Sequence, residues 1–235
     1  MANFWCVSAP LFSHTDWGGF LKMAQALIQR GHSVTWVSES GIGGAVKERG
    51  VPFVPISHTG WLWPPPPLPD VTSLSPTDAV MLRYRRALDT WLSEDLVAAG
   101  VESLIALADQ IGKPDVIITD PFLSAAALAA ERLNVPLVVA GWCAMRDLNE
   151  DAMFYVQKEL ARDSVDRLER LYARFGLTGV NFAKGATPSI LSPHLHINYF
   201  SPEWFQADAY NLLPQNLFVG GLPTVPSDPP PDWLT

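Results

Sequence analysis

The stretch 114–140 constrains the fold more than any other part of this chain. It reads Pro114-Asp115-Val116-Ile117-Ile118-Thr119-Asp120-Pro121-Phe122, then a small-residue segment from Leu123 to Asn134, then Val135-Pro136-Leu137-Val138-Val139-Ala140. Val116 to Thr119 is a short run of β-branched residues, as in a strand buried on both faces. The alanine-rich segment fits a helix packed closely on that strand, and 137–140 is a second buried strand. Strand, helix and strand in this order mean a parallel pair joined by a crossover. Asp120 falls just past the carboxyl end of its strand. Open parallel sheets bind ligands at that edge, so its carboxylate is a candidate site residue on topology alone.

The same alternation runs through the chain. Strands are expected at 4–7, 33–38, 51–56, 116–119 and 137–140, with later ones at 195–200 and 217–219. The third is weakened by Pro52 and Pro55. Helices are expected at 18–30, where Phe20, Leu21, Ala24, Leu27 and Ile28 make an apolar stripe closed by Gly31, and at 44–49, 76–111 with a break at Gly100, 123–133 and 147–175. The fold class is α/β: a doubly wound, Rossmann-like, mostly parallel sheet with helices on both faces and strand order 3-2-1-4-5. That order makes the first and fourth strands neighbours. Ser13-His14-Thr15-Asp16 should then share a crevice with Asp120.

The chain has 235 residues, of which 48% are hydrophobic, so a sizeable core is available. Its net charge of −8 argues against nucleic acid or anionic membrane as the main partner. No apolar run approaches the roughly 18 residues of a membrane span, and the N-terminus lacks a signal-peptide pattern. A cytoplasmic location is expected. Cys6 and Cys143 have no metal-ligand spacing and read as packing residues of a reducing compartment.

His14 paired with a carboxylate is a candidate general base. Asp16 fits either a helix N-cap or the base itself. Gly18 and Gly19 allow close backbone approach to a ligand or simply a tight turn. Trp61-Leu62-Trp63 followed by Pro64 to Pro67 is a stiff loop. Its tryptophans either pin it to the core or wall an apolar pocket. Gly41-Ile42-Gly43-Gly44 reads as a turn into a helix, since dinucleotide spacing is absent. His194 and His196 alternate on a strand and would share a face, read as structural, without a third metal ligand. His32 reads as structural, and His58 as a loop residue. The charged segment 163–174 reads as a solvated helix face.

In their order along the chain, several segments resemble the nucleotide-sugar-dependent GT-B glycosyltransferases that act on small molecules. Ala24 to Val37 looks like that family's first helix and second strand, and Pro114 to Val138 like its fourth and fifth strands. Asn216-Leu217-Phe218-Val219-Gly220-Gly221 followed by prolines looks like its interdomain linker, and Ser201-Pro202 also fits. The middle, 60–111, matches only as helix and loop.

The resemblance implies an N-terminal acceptor-binding domain at 1–221 and a proline-rich linker at 222–235, without the domain that binds the nucleotide sugar. It implies inverting transfer to a hydroxyl of a small, largely apolar acceptor. The catalytic set would be His14 or Asp16 as base with Asp120 as its support. A gapless count from Gly31 puts Asp16 at the family's base position, while a slightly longer loop restores His14, the better base near neutral pH. The family's usual proline is replaced by Gly18-Gly19. Trp17, Gly18, Gly19, Trp61, Trp63, Phe122 and Trp142 would line the acceptor pocket. No cofactor or metal is expected beyond the nucleotide sugar as co-substrate, and this chain alone is expected to be inactive. Two other readings fit the same features: a non-catalytic lobe that binds a small ligand or partner, and another GT-B enzyme such as a sugar epimerase.

Overall fold

The computed structural model describes residues 1–15, 19–67, 69–146, 151, 153–185 and 189–220. Seven parallel strands form one sheet: β1 (Asn3–Val7), β2 (Ser33–Ser38), β3 (Phe53–Pro55), β4 (Val116–Thr119), β5 (Leu137–Ala140), β6 (Leu195–Asn198) and β7 (Asn216–Phe218). The order is β3-β2-β1-β4-β5-β6-β7. The expected 3-2-1-4-5 order is therefore present, extended by two further strands. Chain direction across the sheet reverses between β1 and β4. Val7 pairs with Thr119 at their carboxyl ends, so the loops leaving both strands flank one crevice.

The helices are α1 (Phe12–Thr15), α2 (Phe20–Gln29), α3 (Gly43–Glu48), α4 (Pro76–Trp91), α5 (Glu94–Ile111), α6 (Ser124–Leu133) and α7 (Tyr155–Phe175). Side-chain alternation along the strands feeds two cores. Cys6, Val34, Trp36 and Ile118 pack with Phe20, Leu21, Ala24 and Val46 of α2 and α3. Trp5, Val7, Ile117, Leu137 and Val139 pack on the opposite face with α5, α6 and α7. Every residue of α6 from Ser124 to Ala130 is buried, which explains its alanines: a helix enclosed on all sides must be thin.

The third and sixth strands are shorter than expected, and three helix boundaries differ by more than a residue from the sequence expectation. The long helix at 76–111 is two helices, and the break falls at Leu92–Ser93 rather than at Gly100. The Arg167 guanidinium donates to the Leu92 carbonyl at 3.1 Å, satisfying an acceptor released by the break. Gly100 instead lies inside α5 at a close crossing. A Cβ there would stand 2.7 Å from the Gly60 nitrogen and 2.8 Å from Ala125 Cβ. Helix α7 begins at Tyr155, not 147; the Gln157 side chain accepts from the Phe154 N–H and closes the helix start. Finally, α2 starts at Phe20 with Gly19 as N-cap at φ 133°, so the cap is a glycine in a conformation that suits it and not Asp16.

The charged face of α7 is not simply solvated. Arg167 pairs with Asp89 of α4 at 2.7 Å, and Arg170 and Arg174 reach Glu94 and Glu102 of α5 at 2.7 and 2.8 Å. Ion pairs at a solvated surface contribute little, so these fix the helices' mutual placement more than they stabilise the fold. Among the described residues no helix is long and apolar enough to cross a membrane.

Candidate functional site

The site is built around Asp120, which β4 delivers to the crevice. Its side chain is only 1% exposed. One carboxylate oxygen accepts from the Phe122 N–H at 2.9 Å, and the other accepts from the Ala9 N–H at 3.3 Å. The first bond tightens the turn after β4; the second spans from that turn to the one after β1. Asp120 thus ties the two loops of the switch point together. Thr119 adds a parallel tie, its hydroxyl donating to the Val7 carbonyl at 3.0 Å. Ser38 of β2 does the same for the Ser8 carbonyl at 2.8 Å, and the Trp36 indole donates to the Ser8 hydroxyl at 3.0 Å. The turn leaving β1 is therefore held from both sides before it enters α1.

His14 contributes its backbone to α1, three residues after the loop tied by Asp120. The segment expected as a loop at 13–16 is thus helical at Ser13 to Thr15. The His14 side chain, and Asp16, Trp17 and Gly18 altogether, lie outside the described residues.

The aromatic wall is partly assembled. Trp61 and Phe122 meet edge-on at 6.4 Å between ring centroids, and Phe122 and Trp142 meet at 6.4 Å. These distances are typical of attractive ring pairs. Phe122, two residues after Asp120, is the link that joins a tryptophan from the loop after β3 to one from the loop after β5. Trp61 also packs against the main core, the pinning role read for its loop. Trp142 is 40% exposed and Trp63 51%. Trp63 stands on the proline-rich strap, which is fastened to α4 by the Leu62 N–H to the Thr90 carbonyl at 3.0 Å and by the Arg86 guanidinium to the Pro66 carbonyl.

Sequence reading did not identify the polar groups that hold these rings, although it took His196 as structural. The Glu39 carboxylate, just past β2, accepts from the N–H and hydroxyl of Thr59 at 3.0 and 2.8 Å. That fixes the turn into Gly60 and Trp61. His196 is the second. It is buried, whereas His194 precedes β6 and is exposed, so the two do not share a face as their alternation implied. Burial holds His196 down at a pKa of about 4, partly countered by its bond to the Trp142 carbonyl. The cysteines are packing residues, as expected: burial pushes Cys6 up to about 12 and Cys143 up to about 11, far from a reactive thiolate.

A surface groove of about 480 Å³ lies elsewhere, between the chain after β3 and the outer face of α5, lined by Ile56, His58, Glu102, Ser103 and Gln110. Its polar rim is largely exposed. It lacks the enclosed, convergent groups found around Asp120, so the crevice is the better candidate.

Solved structures share this architecture. The glycosyltransferase of kitacinnamycin superposes with a TM-score of 0.64 at 19% identity, over 95% of this chain and 52% of that one. The calicheamicin glycosyltransferase CalG4 gives 0.64 at 20% identity, over 98% and 55%. SsfS6, a glycosyltransferase of Streptomyces sp. SF2575 complexed with thymidine diphosphate, gives 0.57 at 18% identity, over 97% and 56%. No protein-family model matches the sequence, and no curated protein matches it. At these identities the likeness establishes the fold alone: a doubly wound α/β lobe like one half of a GT-B structure. The chain spans about half the length of each of these three structures.

Proposed function

We propose that this chain is the acceptor-binding lobe of an inverting, nucleotide-sugar-dependent glycosyltransferase. The observation that carries the reading is Asp120: a buried carboxylate at the switch point, bonded to the turn that leads into α1 and flanked by the Trp61–Phe122–Trp142 row. In this reading the row, with Trp17 and Trp63, receives a small, largely apolar acceptor and brings one hydroxyl to the mouth of the crevice. His14 takes the hydroxyl proton. The oxygen attacks the anomeric carbon of the sugar as the bond from that carbon to phosphate breaks. The electron pair leaves with the nucleoside diphosphate, and a single displacement inverts the centre. Asp120 orients the imidazole and stabilises the imidazolium. The nucleotide sugar is held mainly by residues outside this lobe. Nothing in the step calls for a metal.

Asp16 is the alternative base, and rates separate the two. In the whole natural protein, with nucleoside diphosphate release as the readout, His14→Ala should lose about 10²–10⁴-fold in rate while acceptor binding changes little. Asp120→Asn should lose less, because it removes orientation and charge but not the proton acceptor. A crippled Asp16→Ala beside an unaffected His14→Ala would assign the base to Asp16. Full rates in both would leave the crevice a binding site without this chemistry.

A further inference from the structure

We propose that His196 and Asn216, on the two strands that end the sheet, are positioning residues that hold the Trp142 loop and thereby set acceptor affinity. The proposal rests on the acceptor reading of the aromatic row. Neither side chain approaches Asp120's turn in sequence or topology; both act through backbone of residues 142–144.

His196 uses both ring nitrogens. Its Nε2 accepts from the Ser192 N–H at 3.0 Å. That nitrogen must therefore be unprotonated, which puts the ring hydrogen on Nδ1. Nδ1 lies 3.0 Å from the Trp142 carbonyl and donates to it. Only the neutral ring in this one tautomer makes both bonds. Ser192 is itself anchored, its hydroxyl donating to the Leu137 carbonyl at 2.6 Å. The imidazole is thus a fixed strut between the turn before β6 and the residue that ends the aromatic row.

Asn216 grips the next position but one. Its side-chain carbonyl accepts from the Ala144 N–H at 2.7 Å, and its amide donates to the Ala144 carbonyl at 2.7 Å and the Leu213 carbonyl at 2.8 Å. A side chain here pairs with a backbone as a neighbouring strand would. Asn198 supports it, donating to the Asn216 carbonyl oxygen at 3.3 Å. The backbone between the two grips is continued by Gly141, whose N–H reaches the Ile197 carbonyl at 2.7 Å, and by Arg146, whose N–H reaches the Asn211 carbonyl at 2.6 Å. Cys143, between them, is buried. From Gly141 to Ala144 only Trp142 is exposed, and its indole meets Phe122. A loop pinned on both sides of one half-exposed aromatic is how a binding surface is made rigid in advance of its ligand.

The test needs no knowledge of the natural acceptor. The chain carries nine tryptophans; labelled with 5-fluorotryptophan, it gives fluorine resonances assignable by single Trp→Phe changes. In His196→Phe and Asn216→Ala the Trp142 resonance should shift or broaden while those of core Trp5 and Trp36 stay in place. His196→Gln, which can both donate and accept, should restore much of the native Trp142 signal. Alizarin, a planar hydroxylated probe, should bind these two disruptive variants about 5- to 50-fold more weakly. If His196→Phe disturbs Trp5 and Trp36 as well, Asn216→Ala carries the decision. An unmoved Trp142 resonance in a folded Asn216→Ala variant would overturn the proposal, as would a moved resonance with unchanged alizarin affinity. Trp142→Ala separates the two layers: if it too leaves alizarin binding intact, the row is not the acceptor wall, and the acceptor reading has failed rather than the strut.

Discussion

Asp120 and His196 are both buried and both spend their polar atoms on backbone, yet the crevice uses them differently. Asp120 accepts N–H groups from the two turns of the switch point and presents negative charge beside them. His196 bridges an N–H and a carbonyl and must stay neutral to do so. Its depressed pKa therefore makes a statement about folding. The folded ring binds a proton only near pH 4, whereas a free imidazole binds one near 6.5. Between those values the unfolded chain holds more protons, so stability rises with pH across the window and falls as the solution is acidified through it. By pH 5 this one group should have withdrawn about 2 kcal/mol relative to pH 7, approaching roughly 3 kcal/mol below pH 4. Denaturant midpoints measured from pH 7 down to 4.5 should show that slope in the native chain. In His196→Gln, whose side chain does not titrate, the slope should flatten by the same amount. Parallel curves would mean that His196 is protonated as readily folded as unfolded.

Helix α5 shows how packing overrides local propensity. Glycine disfavours a helix interior by about 1 kcal/mol relative to alanine, so Gly100→Ala in isolation should stabilise. The position forbids it: the new methyl would meet the Gly60 nitrogen, Ala125 Cβ and the Thr59 carbonyl carbon at 2.7–2.8 Å, none of them the end of a flexible chain. Overpacking of this kind costs about 1–3 kcal/mol. Gly100→Ala should thus lower chemical stability, and because Gly60 precedes Trp61 it should also disturb the Trp61 fluorine resonance. A stabilised variant would show that the crossing relaxes freely. The same residue marks the limit of what the sequence discloses. Strands β1, β2, β4 and β5 were legible within a residue, because runs such as Val116–Thr119 have no other good use than a buried strand. Their parallel order followed from the helices between them. Gly100 read as a break because a glycine needed by a neighbour looks, in one dimension, like a glycine needed by its own backbone. The true break leaves the Leu92 carbonyl to be met by Arg167, 75 residues away. For the candidate site, Asp120 was singled out by its strand-end position, and Phe122 and Trp142 entered through the family resemblance. Glu39, His196 and Asn216 were not singled out as supports, since each acts on backbone brought near only by the sheet.

The parallel sheet with its crevice at the β1–β4 switch point spans about half the length of the glycosyltransferases it resembles in fold. The crevice is framed by the lobe's own strands: β1 and β4 carry the Asp120 ties, β2 supplies Ser38, and β6 and β7 fasten the Trp142 loop, so the proposed acceptor binding should need no other part of a larger protein. Transfer asks for more. The bond to phosphate breaks only where the leaving diphosphate is stabilised, and that electrostatic stabilisation is commonly the largest part of catalysis. The described residues around the crevice offer a buried carboxylate and apolar rings, which suit a neutral acceptor and not a diphosphate. Purified residues 1–235 should therefore bind alizarin with quenching of tryptophan emission, and Trp142→Ala should weaken that binding. The same preparation, given a thymidine-diphosphate sugar and alizarin, should release no nucleoside diphosphate above the uncatalysed rate. Steady release by these residues alone would show that donor binding and leaving-group stabilisation reside within this sheet, and the division of labour between two lobes would have to be abandoned.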